Sequence, residues 1–260
     1  MPRFQLKISY HGASFSGFQE QPQRETIQSV LEKSLKTVLS ESVRVIPSGR
    51  TDSGVHALSQ VVHLDLKTEK AIERIEENRF LFKINGVLPD AISVRSAKKV
   101  SERFHARKSA KSKTYVYMIL VSRMKNPHLE DKVWRLPREL NLKAMKKAAT
   151  YFVGEYDFTA FCAADSTVTH KIRRVTSITL STQNPFGFLA LKGDHFIVVS
   201  VTGEGFLKQM VRNMVGTLVV VGQGKVPPEK VKVLIESCDR KKAFAPAPAQ
   251  GLYLKKVAYK

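Results

Sequence analysis

The sequence has few cysteines, no long apolar run and no metal-binding signature, and each shortage excludes a class of protein. Two cysteines, Cys162 and Cys238, are too few for a disulfide framework in 260 residues. Neither a Cys-x-x-Cys pair nor a His-Glu-x-x-His motif occurs. No apolar run approaches the roughly 20 residues that cross a bilayer, and the first residues alternate instead of forming a signal peptide. We expect no metal, no membrane segment and a reducing, cytoplasmic location.

Acidic residues are also scarce, which leaves a large positive charge. Lysine and arginine number 43 against 23 aspartates and glutamates, for a formal net charge of +20. A chain this basic usually meets a polyanion, either a nucleic acid or an anionic membrane surface. Since nothing favours a membrane, the charge indicates a nucleic-acid partner. A hydrophobic content of 43% is enough to bury a core.

The hydrophobic pattern changes between strand and helix periods along the whole chain. It predicts strands at 3–10, 43–46, 60–66, 92–97, 114–121, 171–182, 195–202 and 252–259. It predicts helices at 27–38, 72–82, 142–153, 206–221 and 227–238. The order lacks the regular strand-helix rhythm of a doubly wound parallel sheet. We therefore expect an α+β fold, mostly antiparallel, with a boundary near residues 103 to 113.

A polar loop bounded by glycines lies between two predicted strands and concentrates reactive side chains. It is Gly49-Arg50-Thr51-Asp52-Ser53-Gly54-Val55-His56-Ala57. A lone loop aspartate usually bonds nearby backbone N–H groups as a turn residue. Here Arg50, Thr51 and His56 add charge and hydrogen-bonding capacity, and loops on a rigid sheet often hold catalytic groups. Asp52 is thus a turn residue or a catalytic carboxylate.

The stretch from Lys98 to Lys125 is the most basic part of the chain and has a single acid, Glu102. Such side chains contact phosphates, which gives affinity for a nucleic acid and positions it without reading much sequence. Tyr115 and Tyr117 lie in a predicted strand, on the same face. They are either core residues of the sheet or flat rings that stack on an extruded base.

The predicted helix at 206–221 places two basic residues, Lys208 and Arg212, one turn apart. A solvated face suits Lys208. Arg212 has apolar neighbours on both sides, which indicates partial burial, and a buried arginine needs an anionic partner. Asp52 is a candidate for that partner.

Together these residues resemble the TruA family of tRNA pseudouridine synthases. The Gly49–Ala57 loop is similar to the family's signature loop. Further blocks occur in the family's order: Tyr10-His11-Gly12 with Phe15-Ser16-Gly17-Phe18-Gln19, Thr26-Ile27-Gln28, Phe104-His105-Ala106-Arg107 followed by Tyr115, Asp157-Phe158-Thr159-Ala160-Phe161, Met210-Val211-Arg212-Asn213-Met214-Val215-Gly216 and Gly251-Leu252-Tyr253-Leu254. Two departures, Ser53 for the usual Ala and His11 for the usual Asp, leave the candidate catalytic positions intact.

The resemblance implies a fold and an activity. The fold is α+β, with two α/β subdomains, 1–107 and 108–260, that share one mostly antiparallel sheet with the active-site cleft between them. The activity is isomerisation of uridine to pseudouridine at positions 38 to 40 of the tRNA anticodon stem-loop. Family members are homodimers that use no cofactor and no metal, and their tRNA lies across both subunits.

It also implies roles for individual residues. Asp52 acts at the ribose of a flipped uridine, either by attacking C1′ or by removing a proton from C2′. Tyr115 stacks on the base and could help to remove the C5 proton, Arg212 pairs with Asp52, and Arg50 contacts the substrate. The expected contacts with the tRNA backbone are Arg107, Lys108, Lys111, Lys113 and Lys208. Two other functions remain open, a non-catalytic RNA-binding protein and a metal-dependent nuclease.

Overall fold

A computed structural model describes residues 1–259, and within them ten strands and six α-helices are formed. The strands are β1 (Arg3–Tyr10), β2 (Ile46–Pro47), β3 (His56–Asp65), β4 (Ile92–Val100), β5 (Ser112–Val121), β6 (Trp134–Leu136), β7 (Gly154–Asp157), β8 (Ile172–Ser181), β9 (His195–Gly203) and β10 (Leu252–Ala258). The helices are α1 (Ile27–Leu39), α2 (Glu69–Glu76), α3 (Phe80–Val87), α4 (Leu142–Thr150), α5 (Met210–Gly222) and α6 (Lys230–Ser237).

The chain divides into two compact units. Unit 1 consists of Met1–Lys111 and residues 253–259, and unit 2 is Ser112–Leu252. The subdomain expected at 108–260 includes the last strand, whereas most of β10 belongs to unit 1. The reason is a parallel pairing of β10 with β3, in which Tyr253 lies opposite His56. The predicted second part also ends at residue 260, which lies outside the described residues.

Unit 1 contains the strand order β4-β1-β3-β10, with β2 added to β3. The pairs of β1 with β3 and with β4 are antiparallel over nearly the full length of β1. Alternation along β1 buries Phe4, Leu6 and Ile8, as the period of two predicts. The capping box at Thr26 begins α1, which buries Ile27, Leu31, Leu35 and Leu39.

Unit 2 contains the order β5-β9-β8-β7, in which all neighbours are antiparallel, and β6 pairs in parallel with β5. Helix α5 is buried along most of its length. It packs on α4 so closely that a Cβ on Gly222 would lie 2.7 Å from the sulfur of Met145. Both units mix helices with mostly antiparallel strands, so the predicted α+β class is confirmed. Across residues 1–259, no helix has both the length and the apolarity to cross a membrane.

Several predicted boundaries are wrong. The helix predicted at 72–82 is two helices, α2 and α3, because the backbone is extended at Glu77. Asn85 and Gly86 lie within α3, where the Asn85 side chain bonds both backbone groups of Val94. The helix predicted from residue 206 begins at Met210, because Gln209 has a φ of 60°. The short strands β6 and β7 were not predicted.

The beginning of the basic stretch is held to unit 1 by a buried histidine on β3. The Ala106 N–H donates to Nδ1 of His63 at 3.1 Å, and His63 is 1% exposed. Burial, then the positive charges of Arg3 and His105, lower the pKa of His63 to about 4. The ring is therefore neutral near pH 7, which leaves Nδ1 able to accept this hydrogen bond.

We predict that the stability of the protein falls between about pH 6.5 and about pH 4. A histidine with a lowered pKa binds fewer protons in the folded state than in the unfolded state, so acid favours unfolding in this window. Asparagine places an acceptor near the position of Nδ1 but does not titrate. Between about pH 7.5 and about pH 4.5, the wild type should lose roughly 2 to 3 kcal/mol more than His63→Asn, as measured by urea denaturation. Equal losses in the two proteins would contradict the prediction.

Candidate active site

Asp52 is the first residue of a tight turn between β2 and β3. The Val55 N–H donates to the Asp52 carbonyl oxygen at 3.2 Å. Gly54 has a φ of 79°, the value that the third position of a type II turn requires. The side chain of Asp52 is half-buried and that of Arg50 is exposed. The turn thus fixes the backbone of Asp52. A fixed backbone is compatible with both interpretations of Asp52, a turn residue and a catalytic carboxylate.

Buried polar side chains from β1 and β3 hold the residues before the turn. Gln60 donates from Nε2 to the Gly49 carbonyl oxygen at 2.8 Å and accepts from Ser48 Oγ at 2.6 Å. The Tyr10 hydroxyl is hydrogen-bonded to Thr51 Oγ1 at 2.8 Å, and burial raises the pKa of Tyr10 to about 12. These groups are neutral and have hydrogen-bond partners inside the unit. They therefore hold the loop without the free-energy cost of burying a charge.

The segment between β1 and α1 lies against the other side of the loop. The Phe18 N–H donates to the Thr51 carbonyl oxygen at 3.0 Å, and Ser53 Oγ donates to the Phe15 carbonyl oxygen at 3.0 Å. Gly17 has a φ of 89°, and a Cβ there would lie 3.0 Å from the Thr51 carbonyl oxygen. Glycine is required at this point for both the conformation and the close approach.

His56, the residue that begins β3, organises a group of rings next to the turn. Its Nδ1 accepts a hydrogen bond from the Gly12 N–H at 3.0 Å, and it is 1% exposed. Its ring stacks on Tyr253 of β10 at 4.5 Å and tilts against His11 at 4.4 Å. A Cβ on Gly12 would lie 2.0 Å from the Val55 carbonyl oxygen. The backbone of this segment therefore touches the turn directly.

Tyr10 and Gln60 were not singled out as site residues from the sequence, although they hold the loop. A signal was present for Gln60, because it is a polar residue at a buried position of a strand and must find partners there. Its partner, the Gly49 carbonyl, could not be identified without the register of β2 on β3.

In unit 2, Tyr115 lies on β5 and packs against Phe206, three residues after the end of β9. It is 8% exposed, and its ring meets Phe206 edge to face with centroids 5.3 Å apart. Tyr117, on the same face, is fully buried and donates to the Pro248 carbonyl oxygen at 2.7 Å. Tyr117 is a core residue, whereas Tyr115 is a nearly buried ring in a fixed orientation.

Arg212 is half-buried on α5 and is fixed through its Nε. That atom donates to the Ala247 carbonyl oxygen at 2.8 Å, and the Ala247 N–H donates back to the Arg212 carbonyl oxygen at 3.0 Å. Residues 245–248 can lie close to α5 because the helix has a glycine, Gly216, at the point of contact. A Cβ on Gly216 would be 2.2 Å from the Ala245 carbonyl oxygen. The partial burial expected for Arg212 is found.

The remaining predicted contacts differ in exposure. Arg107, Lys108 and Lys111 of unit 1 are exposed, while Lys113 is 9% exposed and thus buried. Lys208 is exposed, precedes α5 and forms a salt bridge with Asp165 at 2.6 Å. Lys208 and Arg212 therefore do not share a helix face. Considering residues 1–259 alone, no three His, Cys, Asp or Glu side chains are grouped so as to hold a metal ion.

Comparisons with known proteins agree along the whole chain. A family model described as tRNA pseudouridine synthase matches residues 7–107 and 148–260. Relatives named tRNA pseudouridine synthase A include one from Thermoanaerobacter sp. strain X514, 40% identical over 259 residues and covering 100% of both chains. Others from Streptococcus thermophilus strain CNRZ 1066 and Caldicellulosiruptor saccharolyticus are each 40% identical and cover 100% and 98% of both chains. Among solved structures, a chain of a Cbf5-Nop10-Gar1 complex aligns at 13% identity over 83% of this chain and 54% of its own, with a TM-score of 0.30, too low for an argument about fold.

We predict that Gly12→Ala destabilises the protein and Gly86→Ala does not. The new methyl group would collide with the Val55 carbonyl at position 12, whereas at position 86, in α3, nothing lies within 4 Å of it. Overpacking of this kind costs roughly 1 to 3 kcal/mol, and alanine in place of a helical glycine adds about 0.5 to 1 kcal/mol of stability. Urea denaturation measures both changes. Equal stabilities of Gly12→Ala and the wild type would refute the close contact.

Proposed function

The chain belongs to the tRNA pseudouridine synthase family, an isomerase family, and we propose that it converts uridine to pseudouridine at positions 38 to 40 of the tRNA anticodon stem-loop. The observation that supports this best is the loop around Asp52, whose backbone is fixed from both sides by Gln60 and Phe18. We further propose a cytoplasmic homodimer with tRNA lying across both subunits.

The reaction moves a base without any change of oxidation state. The bond between C1′ and N1 of the uridine breaks, the base turns, and C1′ bonds to C5. The proton on C5 is lost, and N1 gains one. The base must first leave its stack, which costs a few kcal/mol. We propose that the ring of Tyr115 offsets part of this cost by stacking, and that its hydroxyl helps to remove the C5 proton.

Asp52 is the proposed catalytic carboxylate, by one of two routes. As a nucleophile it attacks C1′ and expels the base, which returns through C5 and releases the carboxylate. As a general base, Asp52 takes the C2′ proton, so that the uracil departs and leaves a glycal; C5 of the uracil then bonds to C1′ while the carboxylic acid returns the proton to C2′. Both routes need an ionised carboxylate in a fixed position, and the type II turn provides the fixed backbone.

Arg212 is the proposed counter-charge that keeps Asp52 ionised. The hydrogen bond from Nε to the Ala247 carbonyl oxygen fixes the plane of its guanidinium group. Arg50, exposed beside Asp52, is a proposed substrate contact. Arg107, Lys108, Lys111 and Lys208 are proposed contacts with tRNA phosphates. Lys113, which is 9% exposed, is a further proposed contact.

We predict that Asp52→Asn abolishes pseudouridine formation while tRNA binding remains. An amide neither attacks C1′ nor takes a proton from C2′, so kcat should fall by at least about 10³-fold. The measurement is tritium release from tRNA labelled at uridine C5. Asp90→Asn, the same change at an exposed aspartate in a turn, is the control and should keep the parent rate.

If Asp52→Asn releases tritium at the parent rate, the catalytic assignment is wrong. A wild-type protein that binds tRNA with a steep salt dependence but leaves its nucleosides unchanged would instead be a non-catalytic RNA-binding protein.

We predict that Arg212→Lys lowers kcat by about 10- to 100-fold and changes KM less. Lysine has the charge but lacks the planar fork, so it cannot bond Ala247 and hold a carboxylate in one geometry. Arg174→Lys, at an arginine that is 59% exposed in the same unit, controls for the substitution itself. Unfolding by urea should show both variants folded. Full activity of Arg212→Lys would reject the ion-pair role.

A further inference from the structure

A second concave, basic site lies in unit 1, apart from the Asp52 loop. A cleft of about 510 Å³ opens beside the ends of β1 and β4. Its lining residues are Gln5, Lys98, Val100, Ser101, Phe104, Ser109, Lys111 and Tyr259. Gln5 lies opposite Lys98 in the sheet and is five residues from Tyr10 along β1, which is about 17 Å at the rise of a strand. Since Tyr10 touches the Asp52 loop, the cleft is a separate site.

The cleft is built on a segment with fixed geometry. The carbonyl oxygen of Ala106 accepts from the Tyr259 hydroxyl at 2.7 Å, while its N–H is bonded to His63. Arg3 donates to the Phe104 carbonyl oxygen at 2.7 Å and forms a bidentate ion pair with Asp65. These contacts hold residues 104–106 from two strands, so the cleft exists before any ligand binds.

The chemistry of the lining suits a phosphate with its sugar. Lys98 and Lys111 are exposed at the cleft, and Ser101 and Ser109 add hydroxyl groups. Phe104 and Tyr259 form a half-buried aromatic pair with centroids 5.0 Å apart. Among the described residues that line the cleft, none is acidic. A cleft with two ammonium groups, hydroxyl donors and an apolar wall is complementary to a nucleotide unit of RNA.

We propose that this cleft binds one nucleotide unit of the tRNA backbone outside the catalytic pocket, with its phosphate between Lys98 and Lys111 and its ribose against Phe104 and Tyr259. The identity of the RNA rests on the proposed function. The site contributes affinity and register, because phosphate contacts position a nucleic acid without taking part in the chemistry.

Neighbouring lysines on β4 allow a matched experiment. Lys98 faces the cleft, whereas Lys99 lies on the opposite face, where it forms a salt bridge with Glu76 of α2 at 3.2 Å. Lys98→Ala and Lys99→Ala remove the same charge one residue apart in the same strand. The dissociation constant for unmodified tRNA is measured by filter binding at several salt concentrations, with kcat and KM from tritium release.

Binding becomes weaker as salt rises, so the logarithm of the association constant falls with the logarithm of the salt concentration. Lys98→Ala and Lys111→Ala should each make this slope less steep by about 1. Each should weaken binding roughly 3- to 10-fold at about 0.1 M salt and raise KM, while kcat at saturating tRNA stays within about 2-fold of the parent. Lys99→Ala should change the slope by less than half as much. Equal slopes for Lys98→Ala and Lys99→Ala, or a loss confined to kcat, would overturn the proposal.

The same data separate this proposal from the proposed function. If the wild type forms pseudouridine and the Lys98 and Lys99 variants bind tRNA with equal slopes, the proposal for the cleft is wrong and the proposed function stands. If the wild type forms none but the slopes differ as expected, the cleft is supported as an RNA site and the isomerase assignment is wrong.

Discussion

The position of the candidate catalytic loop depends on one close approach between two stretches of backbone. The segment after β1 lies against residues 51–55 at distances that leave no room for a side chain at Gly12 or Gly17. Packing forces of this kind are short-ranged and steep, so they leave the loop little room to move. The hydrogen bonds of Gln60 and Tyr10 then fix its direction. The carboxylate of Asp52 thus extends from a backbone that has little freedom, which is what the proposed reaction at a ribose carbon needs.

A second constraint comes from the charge. A chain with a net charge of +20 must gather basic residues for a polyanion without weakening its own fold by repulsion. At the start of the basic stretch, unit 1 limits this repulsion because the buried groups there are neutral or paired with an opposite charge. His63 is uncharged because burial lowers its pKa, and it accepts a hydrogen bond. Arg3 is charged but is held by Asp65, which in turn has a lowered pKa because of that bond. The residues that hold this segment in place therefore add little positive charge to that of the exposed lysines and arginines nearby.

The sequence alone predicted the structure correctly where the interactions that determine it are between residues near one another in the chain. Alternation in β1, the capping box at Thr26 and the glycine-bounded loop are all encoded within about ten residues, and the structure forms them. It was insufficient where a distant partner decides the outcome. The parallel pairing of β10 with β3 joins positions about two hundred residues apart, and no periodicity records it. The start of α5 was misplaced for a subtler reason: the left-handed conformation of Gln209 ends the loop in a residue type that rarely adopts it.

The surroundings of Arg212 in unit 2 orient its guanidinium group. Tyr117 lies close enough for the charge of Arg212 to lower the pKa of its hydroxyl, but burial raises that pKa by more. Tyr117 consequently stays neutral and donates to Pro248. The bonds to Ala247 are to neutral backbone groups and orient Arg212 without cancelling its charge. The orientation that the Ala247 carbonyl gives to the guanidinium group supports the proposal that Arg212 holds the Asp52 carboxylate.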